Sequence, residues 1–369
     1  MSIDFENPTP LYLQIASDIR KKIDENILSV GEKIPSQAEL SQSYDVSLIT
    51  VKKALSELVN QKYLFSRAGK GTYVADINKS RQLDLEKNKS IGVVLKDLSS
   101  PFFSLIIKGV EAAAYKNGYN LLVSHTADKM EKEEKQVEHF KDIGVKGLII
   151  ASMLHTYRKT DYMRELQDAG FPFVLVSYIE DDDVDYVGVD HEMGAYLAGK
   201  HLVKLGHERI GYIQSEKGNV LGEVRFAGFI KAMNEYGKKV NEDDIYYLPY
   251  KGEQNYFKSG HEIGNRFALL HERPTALCTY NDLSALGFKK AVLEKGIRIP
   301  DDVALVGFDD IEMSSQSAIT LTTVRQPTFE IGKKAFEILL SKLNGDTKNQ
   351  RYLFKPKLII RKSCGALLK

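Results

Sequence analysis

Few of the chemistry-bearing side chains in this 369-residue chain stand at spacings that catalysis or metal binding requires. Asp181, Asp182, Asp183 and Asp185 alternate loosely like a calcium loop, but a loop opening at Asp181 has Tyr186 where the sixth position calls for glycine. The run reads as a solvated acidic loop. Gly69-Lys70-Gly71-Thr72 is superficially like a phosphate loop, yet there the Gly-Lys pair must run directly into Ser or Thr. No Gly-x-Ser-x-Gly elbow is present, and Cys278 and Cys364 form neither a CxxC pair nor part of a zinc-spaced cluster. The sequence therefore predicts no enzyme, no metal and no cofactor. What remains is binding chemistry. Between Lys33 and Lys70 stand six basic residues (Lys33, Lys52, Lys53, Lys62, Arg67, Lys70) against three acidic ones (Glu39, Asp45, Glu57). Ser47, Thr50, Lys52 and Lys53 share one helical face there, a set suited to phosphates and base edges.

The elements that carry these residues follow from periodicity. Leu11, Ile15, Ile19, Ile23 and Ile27 recur every four residues and predict one apolar stripe on a first helix. Ser36-Gln37-Ala38-Glu39 is a capping box that opens a short second helix ending near Tyr44. Ser47 caps a third, whose inward positions are Val51, Ala54, Leu55 and Leu58. Tyr63 to Val74 reads as a β-hairpin turning at Ala68-Gly69-Lys70-Gly71. Three helices followed by a two-stranded wing make a winged helix-turn-helix. Such a module sets a helix in the major groove of double-stranded DNA, with Arg67 and Lys70 on the wing within reach of backbone or minor groove.

Residues 76–90 are polar and without apolar period, and read as a linker between a first domain at 1–75 and a second at 91–369. Beyond it, short runs such as IGVVL (91–95), NLLVSH (120–125), GLIIAS (147–152), FVLVS (173–177) and RIGYI (209–213) alternate with amphipathic stretches. That alternation predicts parallel sheets covered by helices. Ile91, Gly109 and Gly118 recur as Ile210, Gly228 and Gly237, each 119 residues on, which predicts two similar α/β lobes facing a cleft. Ser100-Pro101 is a helix start with Ser as cap, and places Phe102 and Phe103 at the cleft mouth, one of them as a platform for a ligand face.

Composition sets the outer limits. Lys+Arg 51 against Asp+Glu 50 gives a net charge of +1, so any nucleic-acid contact is local. Two cysteines fit a reducing cytosol. The start, MSIDFENPTP, lacks the basic-then-apolar pattern of a secretory signal, and no run approaches the ~20 apolar residues of a membrane span. The sequence thus predicts a cytoplasmic protein that makes no membrane contact.

Residues 10–75 resemble the GntR family of bacterial winged-helix repressors. The likeness lies in Pro35-Ser36, Leu40, Val46-Ser47, Thr50-Val51, Ala54-Leu55, Leu58 and Gly69-Lys70-Gly71-Thr72. It implies DNA contacts from Ser36, Ser47, Thr50, Lys52, Lys53, Arg67, Gly69, Lys70 and Gly71. The chain departs from the family at Gln37, where Glu is usual, and at Leu48 and Lys52, where Arg is usual. The family's guanine-reading forks are therefore not carried over.

Residues 90–365 resemble the effector domain of LacI-type repressors, also the fold of periplasmic sugar-binding proteins. Here the likeness lies in Asp97-Leu98-Ser99-Ser100-Pro101-Phe102-Phe103, Val189-Asp190-His191-Glu192, Arg225-Phe226-Ala227-Gly228-Phe229, Asn281-Asp282, Val306-Gly307-Phe308-Asp309-Asp310 and Val324-Arg325-Gln326-Pro327. It implies a sugar held by Arg225, Asn281, Asp309 and Gln326, beside Ser100, Phe102 and Phe103. Ser177 stands where the family often has an acid, and Asn255 or Tyr256 where it has an aromatic wall. His191 and His201 read as helix-start and core residues. The expectation is a ligand-controlled repressor binding a palindromic operator as a homodimer. An exported sugar-binding protein of a transporter would need a signal segment and no winged helix. A sugar-acting enzyme would need a catalytic constellation, and a structural nucleoid binder would leave the cleft unexplained.

Overall fold

The computed structural model describes residue 4 and residues 7–76, 89–98, 100–127, 129–151, 157–249 and 255–367. Ser99, Ser152 and most of the expected linker (77–88) lie outside the described residues. The chain divides into two units, 1–88 and 89–369, each described by itself.

In the first unit, α1 (Leu11–Asp24) buries Ile15, Ala16, Ile19 and Ile23. The four-residue stripe predicted to reach Ile27 stops at Ile23: the helix has ended and Ile27 is 62% exposed. The helix α2 (Gln37–Tyr44) opens on the expected capping box. The Ser36 hydroxyl accepts the Glu39 N–H, and the Glu39 carboxylate accepts the Ser36 N–H at 2.7 Å. Asp45, with φ of 54°, ends α2 in the left-handed region. Ser47 then caps α3 (Leu48–Asn60), whose Val51, Ala54, Leu55 and Leu58 are buried against α1 and α2. Strands β1 (Leu64–Arg67) and β2 (Gly71–Val74) pair antiparallel from Leu64↔Val74 to Arg67↔Gly71.

The second unit holds two six-stranded sheets. In the first lobe they are β3 (Ser90–Leu95), β4 (Asn120–His125), β5 (Leu148–Ala151), β6 (Phe173–Ser177), β7 (Tyr186–Val189) and β13 (Arg351–Phe354), ordered β13-β7-β6-β5-β3-β4 and parallel throughout. In the second they are β8 (Ile210–Gln214), β9 (Ile245–Tyr247), β10 (Ala276–Thr279), β11 (Ala304–Asp309), β12 (Thr322–Arg325) and β14 (Lys357–Ile359), ordered β14-β12-β11-β10-β8-β9. Only β14 runs antiparallel to its neighbour. The two lobes repeat one strand order, and each sheet is apolar on both faces because helices cover both.

Described helices of this unit are α4 (Pro101–Lys116), α5 (Met130–Ile143), α6 (Asp161–Asp168), α7 (His191–Lys204), α8 (Val220–Glu235), α9 (Tyr256–Phe267), α10 (Asp282–Glu294) and α11 (Thr328–Leu343). Their tightest crossings use glycine. A Cβ on Gly109 of α4 would lie 2.0 Å from the Phe329 carbonyl oxygen of α11, and one on Gly228 of α8 would lie 2.0 Å from the Glu192 carbonyl oxygen of α7. These are the two glycines of the 119-residue repeat. Gly118 and Gly237, its other pair, both sit past helix ends with φ of 73° and 63°. The chain passes between the lobes three times, from β7 to α7, from β12 to α11 and from β13 to β14.

Candidate functional site

Parallel sheets of this order bind ligands beyond the carboxyl ends of their strands, where the order reverses. In both lobes that point is the pair β3/β5 or β8/β10. A cavity of about 80 Å³ lies between them, lined by Ser100, Pro101, Phe102, Phe103 and Ser177 of the first lobe. Leu221, Arg225, Tyr256, Tyr280, Asn281, Leu283, Asp309, Ile311 and Gln326 complete it.

Arg225, on the second turn of α8, is 4% exposed. Its Nη1 donates to the Tyr280 carbonyl at 2.5 Å, and its Nη2 lies 3.4 Å from His191 Nδ1 and 3.7 Å from the Asp309 carboxylate. The guanidinium lies 3.9 Å over the Phe308 ring. Its Nε has no hydrogen-bond partner among the described residues. A buried charged donor left unmated is costly. His191 Nε2 faces the Ser177 carbonyl at 3.3 Å. Burial and the Arg225 charge hold this imidazole well below its usual pKa, so it is neutral, accepting from Arg225 and donating to Ser177.

Asp309 ends β11 with φ of 119°, followed by Asp310 at 60°. Side chains rarely hold this backbone, and strain of this kind collects at ligand sites. The turn is pinned from several sides. Asp310 accepts from Arg325 at 2.5 Å and from Arg361 at 2.6 Å, while Gln326 Nε2 donates to the Asp309 carboxylate at 2.7 Å. Beneath it Asp282, fully buried, accepts from Ile311 N–H at 3.0 Å, Ser314 at 2.6 Å and Thr323 at 2.5 Å. Burial pushes the carboxyls of Asp282 and Asp309 upward. Asp282 is pushed further by the Asp309 charge, and Arg225 pulls Asp309 back.

The expected contacts divide. Ser100, Phe102, Phe103, Ser177, Arg225, Tyr256, Asn281, Asp309 and Gln326 meet at one cavity; Asn255 does not line it. Asn255 is an exposed N-cap whose Oδ1 accepts the Lys258 N–H at 2.9 Å, and its neighbour Tyr256 packs 5.6 Å from Tyr280. Ser100 occupies the N-cap position of α4 but makes no side-chain capping bond, contrary to its expected role. Asn281 caps α10 through Oδ1, at 2.9 Å from the Ser284 N–H, which leaves its amide nitrogen for the cavity. Phe103 enters the core while Phe102 stays half-buried, ring edge to face at 5.2 Å. In the acidic run Asp182 and Asp183 are exposed, as a solvated loop requires, with Asp183 paired to Lys159 at 2.5 Å, whereas Asp185 is buried 3.2 Å from Lys342.

Sequence reasoning missed Tyr280, Leu221 and, from the end of β8 onward, the buried Gln214, Glu216 and Asn219. It also missed Tyr157 of the first lobe, whose hydroxyl is raised by burial beside Tyr280, Glu216 and Asn219. Tyr280 adjoins Asn281, which was a usable signal; the others stand in no pattern. A larger hollow, about 340 Å³, lies where β6 begins, but its Lys342, Asp185 and Asp346 are already satisfied by one another and by Gln350.

In the winged-helix unit Ser36, Ser47, Lys52, Lys53, Arg67, Gly69, Lys70 and Gly71 are exposed and Thr50 half-buried. Ser36 and Ser47 serve as caps, and the Thr50 hydroxyl lies 2.8 Å from that of Ser47. Lys53 is laid over the Tyr12 ring at 3.9 Å, so Lys52 is the freer of the two. The Arg67 guanidinium stacks by Phe65 and Tyr73 at 5.3 and 5.5 Å. Gly69 and Gly71 have φ of 71° and 117°, which the wing's turn demands.

A winged helix joined to a two-lobed ligand cleft is the construction of a ligand-responsive transcriptional regulator. Residues 11–74 match the bacterial regulatory proteins of the gntR family, and residues 200–364 match the periplasmic binding protein-like domain. The chain is 32% identical to the arabinose metabolism transcriptional repressor of Halalkalibacterium halodurans, over 95% of this chain and 96% of that one. A LacI family transcriptional regulator from Enterococcus faecium, solved with bound ribose, superposes with a TM-score of 0.65 at 29% identity, covering 74% of this chain and 98% of that one. The lac repressor dimer bound to operator gives 0.67 at 25% identity, over 79% and 99%. The chain belongs to the gntR family of bacterial regulatory proteins, carries a periplasmic binding protein-like second domain, and is a transcriptional repressor rather than an enzyme. Among the described residues no helix is long and apolar enough to cross a membrane, and no cluster of His, Cys, Asp and Glu could hold a metal.

Proposed function

We propose that this repressor binds a palindromic operator as a homodimer in the cytoplasm, and that a sugar in the cleft controls its grip. Residues 1–75 would read DNA through Ser36, Ser47, Thr50, Lys52, Lys53, Arg67, Gly69, Lys70 and Gly71, with 76–90 as linker and 91–369 as sensor and dimer interface. A two-fold operator needs a two-fold protein, and the lac repressor likeness supports that symmetry. The observation that carries the reading is the set of Arg225, Asp309, Gln326 and Asn281, which lines one cavity together with Phe102. Paired donors and acceptors suit vicinal hydroxyls, and an apolar ring suits the C–H face of a sugar. Closure of the lobes on the sugar alters how the dimer presents its two α3 helices. A sugar that weakens operator binding is itself bound less tightly on DNA by the same factor.

A thermal-shift series with pentoses, hexoses, disaccharides and nucleosides tests this. A ligand at ~100 times its Kd adds about 2.7 kcal/mol and raises Tm. The expected result is a shift with a monosaccharide that Arg225→Ala abolishes. A nucleoside hit would replace the sugar, and a shift that survives Arg225→Ala would move the site elsewhere.

A further inference from the structure

The leading turn of α3 is apolar and uncovered. Leu48 is 53% exposed and Ile49 80% exposed, although Val51, three and two residues on, is fully buried. Ser47 and Thr50 are bonded to each other at 2.8 Å, so their hydroxyls are partly committed to the cap. Leu48 and Ile49 stand four and three residues before Lys52, hence on the same side of the helix, and their side chains lean toward its N-terminus. That is the end a helix of this module presents to base edges.

The chemistry offered there is unusual for a DNA surface. Neither side chain can donate to guanine O6 or N7, and Lys52 supplies a single ammonium rather than a fork. On the floor of the major groove the apolar group a base pair presents is the thymine C5-methyl. Lys52 beside them is exposed and free to hold a phosphate, which fixes register without reading sequence. We infer that Leu48 and Ile49 read thymine methyl groups, so that each operator half-site carries A·T pairs where the leading turn of α3 meets the groove. This rests on the DNA-binding reading above and gives it a base preference.

The test begins with selection of bound duplexes from a random pool by the full-length protein at fixed salt. Each thymine of the selected half-site is then replaced by deoxyuridine, which removes the methyl and leaves every hydrogen bond. Loss of about fourfold in affinity is expected at one or two positions, as a buried methyl-sized group is worth about 0.8 kcal/mol. Leu48→Ala or Ile49→Ala should make one of those positions indifferent to the replacement while the other stays sensitive. Both residues are exposed, so the variants fold, and the uracil series needs no variant at all. A selected site indifferent to uracil, or one dominated by guanine at these positions, overturns the inference and leaves DNA binding intact. A pool that yields no preferred sequence overturns both.

Discussion

The two lobes share a strand order, a glycine-tight helix crossing and a positive φ at the end of equivalent strands, Ser177 on β6 and Asp309 on β11. Yet only the second lobe puts charged and amide side chains into the cleft, beside its own Leu221, Tyr256, Tyr280, Leu283 and Ile311. The second lobe brings a buried polar set held in place by its own bonds: Arg225 on Tyr280, Gln326 on Asp309, Asp282 under the turn. The first brings mainly rings, Phe102 and Phe103, with the small hydroxyls of Ser100 and Ser177. One frame therefore serves two tasks. Under the proposed sugar reading, the polar floor would set which hydroxyls are accepted and the Phe102 side would shield them from water.

The comparison can be broken at its floor first. Asp282→Ala leaves the Ile311 N–H, Ser314 and Thr323 donors unmated in the interior, an expected loss of about 4 kcal/mol of stability measured by denaturant unfolding. A loss below 1 kcal/mol would show the floor to be soft. Arg225→Ala should cost about 100-fold in sugar affinity by calorimetry, near the upper end for a buried charged hydrogen bond. The frame is tested symmetrically. Gly109→Ala and Gly228→Ala each drive a Cβ to 2.0 Å from a backbone oxygen, so both should cost about 2 kcal/mol. Unequal losses would mean the lobes are less alike than their topology. On the cover, Phe102→Ala should weaken the sugar only about fivefold, since a half-buried ring contributes through area alone.

The smallest effect is one of pH. His191 is neutral in the fold, whereas an unfolded imidazole takes up a proton below about pH 6.5. The unfolded state then binds more protons, so this residue's contribution to stability falls as pH drops through that range. His191→Gln should flatten the acid limb of a stability-versus-pH curve relative to the parent chain.

How legible all this was from sequence differs between the same regions. The winged helix could be read residue by residue because its signals are local: the Ser36–Glu39 box, the Ser47 cap and the stripe on α3 are set by neighbours three and four residues apart. The stripe of α1 was read one turn too long because Ile27 keeps the period after the backbone has left the helix. Strands β3 to β6 and β8 were visible as branched apolar runs. The 119-residue repeat foretold a cleft and Ser100-Pro101 its mouth, but most of its lining was visible only through the resemblance, since those residues follow seven different strands and no period links them. Asn255 and Tyr256 show the limit: one residue decides which is the exposed cap and which the wall, and the start of α9 at Tyr256 makes that choice. Tyr157 had no signal, because its burial comes from residues of the opposite lobe.

The three passages of the chain between the lobes bear on synthesis as well as on sensing. Neither lobe is a contiguous stretch of sequence: the first awaits β13, ending at Phe354, and the second awaits β14, ending at Ile359. Residues 1–88 are made first, and at ~5–20 residues per second the last strands follow roughly 13–55 s later. A growing chain thus has its DNA-reading module well before it has a sensor to govern it, and chain termination anywhere before β13 would leave that module without either finished lobe.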